Sequence, residues 1–189
     1  MTLIAILLTG CSMGKSGETT ITVTGTLNGG NDPLAIFGGG VLPAGTPYTL
    51  VFTFDDTKGQ DTDPGCSGSG IGGTHEESPG TATLTINGKS YDFGQSPDAT
   101  SKAWRKTGDA CSEIGMEIGE GRFPFFSTVS IRVSPPQGTA TLTSDSDWRS
   151  RLSVDDVYAR NTYNSFVIQK AGNYARTMSY LSVSSLKVR

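Results

Sequence analysis

Two glutamates four residues apart, Glu113 and Glu117, are the side chains whose type and spacing best suit acid–base chemistry. Alternate residues of a strand project from the same face, so both carboxylates would share one surface. Their backbone positions would nevertheless lie about 13 Å apart. The two carboxyl groups of a retaining glycosidase lie only about 5 to 5.5 Å apart. A solvated strand face is the favoured interpretation, and catalysis by this pair is the alternative.

The same segment, Glu113-Ile114-Gly115-Met116-Glu117, resembles the Glu-Ile-Asp-x-Glu strand of jelly-roll endo-β-glucanases. The resemblance implies that Glu113 would be the nucleophile and Glu117 the acid/base of a glycoside hydrolase. Gly115 stands where that family has an aspartate between the two glutamates. In that family the aspartate would orient the two glutamates and adjust their acidity. Because this chain has glycine at that position, hydrolysis is the alternative and not the favoured function.

Trp104 and Trp148, the two tryptophans of the chain, are candidates for a sugar-stacking platform, together with Tyr158 and Tyr163. Carbohydrate-binding modules of β-sandwich architecture use aromatic faces in this way. Core packing is the other interpretation, and it is the usual fate of tryptophan in a chain with so few. Binding of a glycan through these rings is therefore one hypothesis for the function.

Four aspartates within nine residues form the one candidate cation site. Clustered carboxylate oxygens are ligands that Ca²⁺ prefers, although their spacing does not match an EF-hand loop. A solvated turn is the favoured interpretation, and calcium is the minor hypothesis. Zinc is not expected, because His75 is the only histidine. The four candidate calcium ligands are Asp55, Asp56, Asp61 and Asp63.

The N-terminus carries the most specific motif. An apolar run from Leu3 to Leu8 is too short to cross a bilayer, which needs about 20 helical residues. It is typical of an export signal and ends in Leu8-Thr9-Gly10-Cys11, which resembles the lipobox of bacterial lipoproteins. The resemblance implies cleavage before Cys11 and acylation of its thiol. Ser12 at the second position, where aspartate is absent, implies the outer membrane of a bacterial envelope.

These features predict three segments: a signal peptide at residues 1–10, a lipidated cysteine with a polar flexible tether at 11–20, and one domain at 21–189. Assigning Cys11 to a lipid leaves Cys66 and Cys111, an even pair suited to a disulfide in an oxidising compartment. The membrane is thus one expected partner, reached through the lipid.

The charge of −3 hides an asymmetry between the two halves of the chain. Residues 1–100 carry three basic and ten acidic side chains, and residues 101–189 carry twelve and eight, so the halves have charges of −7 and +4. The basic residues are scattered and form no long run. Nucleic acid is therefore not expected as a partner.

Hydrophobic alternation of period two predicts strands throughout the chain, beginning with 21–27 and 49–54. Eight or nine strands separated by Gly- and Pro-rich turns predict an all-β fold, a two-sheet sandwich or jelly roll with mostly antiparallel strands. Later strands are expected at 114–118, 129–133, 139–143, 165–169 and 180–188.

Three local features are specific enough to predict geometry. Asn87-Gly88 suits a two-residue type I′ hairpin turn, which would pair Leu84 with Tyr91. Ile36-Phe37, inside a glycine-rich loop, is expected to cover the core as an apolar plug. Apolar residues change phase between positions 183 and 186, which indicates a β-bulge.

The stretches 21–27, 36–40, 48–55 and 82–88 resemble bacterial exported β-sandwich proteins, many of which end in a sorting tail of the Pro-Glu-Pro type. This chain has no Pro-Glu-Pro tail, and the lipid on Cys11 would replace it as the anchor. That family implies no defined activity. We therefore expect a non-enzymatic binding or scaffolding module at the envelope, whose partner is a glycan or an envelope protein.

Overall fold

The computed structural model describes residues 17–108, 111–122, 124–135, 145–155, 158–159 and 164–189. These residues form fourteen strands and one turn of 3-10 helix at His75–Glu77, and every strand pair is antiparallel. The all-β fold class is confirmed. The strands are β1 Glu18–Asp32, β2 Gly40–Leu42, β3 Pro47–Asp55, β4 Gln60–Thr62, β5 Ser69–Thr74, β6 Gly80–Ile86, β7 Lys89–Phe93, β8 Thr100–Lys106, β9 Glu113–Arg122, β10 Phe125–Ser134, β11 Leu152–Asp155, β12 Tyr158–Ala159, β13 Ser165–Ile168 and β14 Thr177–Val188.

The strands hydrogen-bond into one continuous sheet in the order β4-β5-β8-β9-β10-β13-β14-β1-β3-β6-β7. The sheet curls, so that β6 and β7 lie across from β8, β9 and β10. The two layers expected from the sequence are therefore two halves of a single sheet. Among the described residues, no helix is long and apolar enough to span a bilayer.

The core lies between the two halves and is filled by the inward-facing residues of each strand. The apolar plug is confirmed, because Phe37 is buried and its ring meets that of Phe166 edge-on at 5.7 Å. The largest fully buried apolar side chains in this region include Phe52, Phe54, Phe93, Leu50 and Leu84.

The predicted hairpin and bulge are also confirmed. Leu84 pairs with Tyr91 across the turn, and both turn residues have positive φ, 53° at Asn87 and 71° at Gly88. The β1–β14 register shifts between Thr24 and Gly25, where the phase of the apolar residues in β14 changes. The predicted strand at 139–143 lies outside the described residues, and so does Cys11.

Cys66 and Cys111 form the predicted disulfide, with their Cα atoms 6.2 Å apart. The bond joins the loop before β5 to the loop before β9 and closes a separation of 45 residues. Constraining an unfolded loop of this length is worth about 4 kcal/mol in the chain-entropy model. The two loops that carry these cysteines flank β8, which is the strand between β5 and β9.

A buried carboxylate fixes the end of β1. Asp32 is inaccessible to solvent and accepts hydrogen bonds from the backbone N–H groups of Ile36, Phe37 and Gly39 at 2.9, 2.6 and 2.9 Å. It also accepts one from the Thr177 hydroxyl at 2.8 Å. Burial raises the pKa of Asp32, but the four hydrogen bonds outweigh it, so the pKa is lowered from 3.8. The single side chain thus holds both the plug loop and the start of β14.

The substitution Asp32→Asn tests this role. Because the pKa of Asp32 is lowered in the folded state, its stabilisation is complete above the unfolded-state value of 3.8 and is lost as pH falls through the folded-state pKa. We expect a loss of about 1 to 3 kcal/mol in the free energy of unfolding at pH 7. The difference from wild type should shrink below pH 3.8. Urea unfolding across this pH range measures both quantities.

The matched control is Asp92→Asn, which changes an exposed aspartate that accepts one hydrogen bond from the Thr83 hydroxyl. We expect it to change the free energy of unfolding by less than about 0.5 kcal/mol. An equal loss for both variants would contradict the role given to Asp32.

Candidate functional site

Charged side chains converge on an open groove on the outer face of β8, β9 and β10. The groove has a volume of about 460 Å³ and is also bordered by residues of β4 and β5. We call it the outer groove. The charged and aromatic residues that line it are Lys102, Trp104, Lys106, Glu113, Glu117 and Arg132.

The register of the three strands explains how these residues meet. Trp104 on β8 and Arg132 on β10 both pair with Gly115 on β9, so the three form one row across the sheet. The indole lies directly over Gly115, and a Cβ atom at this glycine would be 2.0 Å from the indole Cζ2. Trp104 is only 8% exposed as a result. A glycine inside a strand therefore creates the space that the tryptophan occupies.

Two cations border the indole. The Arg132 guanidinium lies 5.3 Å from the ring centroid, and the Lys102 ammonium lies 5.6 Å from it. Both distances fall within the range of cation–π attraction. The Trp104 ring therefore packs between the Gly115 backbone and two cations, and little of the ring surface is accessible from the groove.

Glu113 and Glu117 share the outer groove, as their spacing predicts. Glu113 accepts a hydrogen bond of 2.8 Å from the Trp104 indole N–H and lies 4.0 Å from the Lys106 ammonium. Glu117 lies 3.1 Å from the Lys102 ammonium, its cross-strand neighbour. Each carboxylate is therefore paired with a lysine, and the indole covers the strand position between the two.

This arrangement suits binding better than acid–base chemistry. A retaining pair needs its carboxyl groups about 5 to 5.5 Å apart, whereas here the Trp104 ring covers Gly115, which lies between Glu113 and Glu117 on the same face of the strand. Lysines of β8 face carboxylates of β9 across the strand pair, so the groove offers both donors and acceptors to a ligand.

Trp148 follows the core-packing interpretation and not the sugar-stacking hypothesis. It is 2% exposed and lies in the core, where its ring meets Phe54 edge-on at 5.7 Å. A side chain buried this far offers no face to a sugar. Of the two tyrosines considered with it, Tyr163 and the side chain of Tyr158 lie outside the described residues.

The four candidate calcium ligands have other contacts. Asp55 accepts two hydrogen bonds from Thr57, and Asp63 accepts one from the Gly65 N–H. The Arg149 guanidinium lies 3.6 Å from both Asp56 and Asp61. Among the described residues, no group of three or more His, Cys, Asp or Glu side chains is arranged to hold a metal. Calcium binding stays a prediction without geometric support.

The sequence did not predict that lysines and an arginine line the groove, or that Trp104 packs against Gly115. The signal available was Gly115, because a glycine inside a strand often marks a close approach by another group. Which group approaches it depends on the pairing of β8 with β9, and the sequence pattern does not give this register.

Comparison with protein-family models, curated proteins and solved structures gives no match to this chain. The geometry of the outer groove is therefore the basis on which a function is proposed.

The substitution Gly115→Ala tests the packing of the Trp104 indole against this glycine. The new methyl group would overlap the indole, so Trp104 must move outward, with a cost of about 1 to 3 kcal/mol in the free energy of unfolding. We also expect a red shift in tryptophan fluorescence, since Trp148 stays buried as the second emitter.

Gly119→Ala, on the same face of β9, is the matched control. Among the described residues, its Cβ would meet only the Thr100 hydroxyl oxygen, at 3.1 Å. We expect a change below about 1 kcal/mol and no spectral shift. If Gly115→Ala behaved like Gly119→Ala, the close packing of Trp104 on the glycine would be refuted.

Proposed function

We propose that this chain is a lipid-anchored, non-enzymatic binding module of a bacterial envelope, and that its outer groove binds a glycan. The observation that carries the proposal is the convergence of paired charges around one tryptophan on an open sheet face. Binding sites commonly combine a concave surface with a few placed polar groups that fix the orientation of the ligand.

The polar groups of the outer groove suit the hydroxyl groups of a sugar. Carboxylates such as Glu113 and Glu117 accept hydrogen bonds, and the lysine ammonium groups donate them. The Lys102 and Glu117 side chains are 50% and 38% exposed, so a ligand can reach both. Because they project from paired strands, the sheet holds them at a fixed separation.

The anchor is proposed from the lipobox-like segment ending at Cys11, and the Cys66–Cys111 disulfide is compatible with an oxidising compartment. Six residues lead from Cys11 to Gly17, just before β1. A segment of this length spans at most about 20 Å. In this proposal the domain stays close to the membrane surface, where envelope glycans and envelope proteins are its partners.

The second candidate function is a carbohydrate-active glycoside hydrolase that uses Glu113 and Glu117. It is favoured by one observation, the presence of both carboxylates in the same groove. It is disfavoured by the indole above Gly115 and by the lysine paired with each carboxylate. The two functions separate on turnover, because a binding module leaves its glycan intact.

A glycan array tests the groove. Lys102→Ala and Glu117→Gln remove exposed polar contacts and should weaken binding at least about tenfold, a typical effect of a central interface residue. Lys89→Ala, at the tip of the β6–β7 hairpin, is the matched lysine control and should bind as wild type.

Two results would count against the groove proposal. Binding that is unaffected by both groove substitutions would place the ligand elsewhere. Hydrolysis of β-glucans that is abolished by Glu113→Gln would establish the hydrolase instead.

Intact-mass analysis of the membrane fraction tests the anchor. We expect the protein to lack residues 1–10 and to carry added lipid mass, because acylation follows cleavage before Cys11. Cys11→Ser should abolish both changes and release the domain from membranes. Full-length protein that is soluble in both wild type and variant would exclude the lipid anchor.

A further inference from the structure

A second cavity opens at one end of the curled sheet, with a volume of about 750 Å³. It lies between the end of β7, the loop after β7, the β9–β10 hairpin and the segment that follows β13. We call it the end cavity. Glu120 lines it, whereas Glu117 lines the outer groove. Residues three apart on a strand point to opposite faces, and the two cavities share no lining residue.

The charged groups at the end cavity already have partners within the protein. Glu120 accepts hydrogen bonds from the N–H groups of Gly94, Gln95 and Ser96 at 3.0, 3.0 and 3.3 Å. Asp98 and Arg122 form a two-bond ion pair, with distances of 2.7 and 2.8 Å. The Glu120 carboxylate is therefore held by backbone donors, and Asp98 and Arg122 neutralise each other.

Hydroxyl and amide groups remain along the cavity. The Tyr91 hydroxyl lies 3.1 Å from Glu120 and 3.4 Å from the Ser127 hydroxyl, which accepts from the Gln169 N–H at 3.1 Å. Burial raises the pKa of Tyr91, the Ser127 hydrogen bond lowers it, and the charge of Glu120 raises it further, so the net shift is upward. The tyrosine therefore stays a neutral hydroxyl at physiological pH.

Gln169 supplies the observation that points to a ligand. It is 6% exposed and lines the end cavity. Its amide Nε2 donates to the Asn173 carbonyl at 3.2 Å, but no residue that the structure describes donates a hydrogen bond to its Oε1. A buried acceptor without a donor is unfavourable, and a hydroxyl group brought by a ligand would relieve it.

An aromatic pair stands at the rim. Phe125 lines the cavity, and its ring centroid lies 5.2 Å from that of Tyr174, with the two planes tilted by 51°. Tyr174 is 77% exposed, the largest exposure among the described large hydrophobic residues. An exposed ring beside neutral hydrogen-bonding groups provides an apolar face and polar partners together.

We propose that the end cavity binds a neutral pyranose, which stacks on Tyr174 beside Phe125 and directs its hydroxyl groups toward Gln169, Tyr91 and Ser127. This site is separate from the outer groove and does not depend on the function proposed there. An acidic sugar would be disfavoured, because Arg122 is already paired with Asp98 and the Glu120 carboxylate would repel it.

The test is a titration of the purified full chain with methyl β-D-glucopyranoside, methyl β-D-galactopyranoside and N-acetylglucosamine, followed by amide chemical shifts. We expect shifts at residues 91–98, 120–127 and 169–174. Tyr174→Ala should weaken binding at least about tenfold, and Tyr174→Phe, which keeps the ring, should bind within about threefold of wild type. Tyr180→Ala removes another exposed tyrosine, on β14, and should have no effect.

The proposal is overturned if none of the three sugars binds, or if Tyr174→Ala binds as well as Tyr180→Ala. Shifts confined to residues 102–106 and 113–119 would also overturn it, while supporting the outer groove as a sugar site. Loss of binding in Tyr174→Ala but not in Lys102→Ala would support the end cavity, whatever the outcome at the groove.

Discussion

The pairing of the first strand with the last organises the molecule. β1 and β14 run antiparallel from Ile21 opposite Val188 to Asn31 opposite Met178, so the two ends of the described chain form adjacent strands in the middle of the sheet. Thr20 and Arg189 exchange backbone hydrogen bonds of 3.1 and 2.9 Å at one end. At the other end the buried Asp32 carboxylate binds the Thr177 hydroxyl. A pairing between strands so distant in sequence has a large loop-closure cost, which these terminal contacts help to offset.

Both candidate sites depend on this pair through the order of the strands. β14 carries β13 on its other side, and β13 leads through β10 and β9 to β8, so the outer groove lies on strands held by the central pair. The groove residues project from paired strands rather than from loops, which fixes their spacing. The disulfide adds a covalent link between the loops that precede β5 and β9, beside this part of the sheet. The end cavity instead forms where β7 and the β9–β10 hairpin approach each other across the curl.

Features with a local cause could be predicted from the sequence. The Asn87-Gly88 turn, the bulge in β14 and the Phe37 plug each follow from a few neighbouring residues, and parity gave the disulfide once Cys11 was assigned to a lipid. β8 was not predicted, because the polarity of its side chains does not match the two faces of the strand. Arg105 is fully buried and donates to the Ser150 carbonyl at 2.6 Å, whereas Lys102 faces outward. The different positions of Trp104 and Trp148 could not be predicted either. Trp104 depends on Gly115 of the next strand through a register that the sequence does not give, and Trp148 depends on Phe54 from a distant part of the chain.

Amide hydrogen exchange followed by mass spectrometry is the most direct measurement of the central pairing, because it reports the stability of each strand separately. If β1 and β14 form the organising pair, peptides from residues 18–32 and 177–188 should exchange most slowly and should lose their protection together as denaturant is added. Rapid exchange of 18–32 while 177–188 stays protected would contradict the pairing and, with it, the placement of both sites.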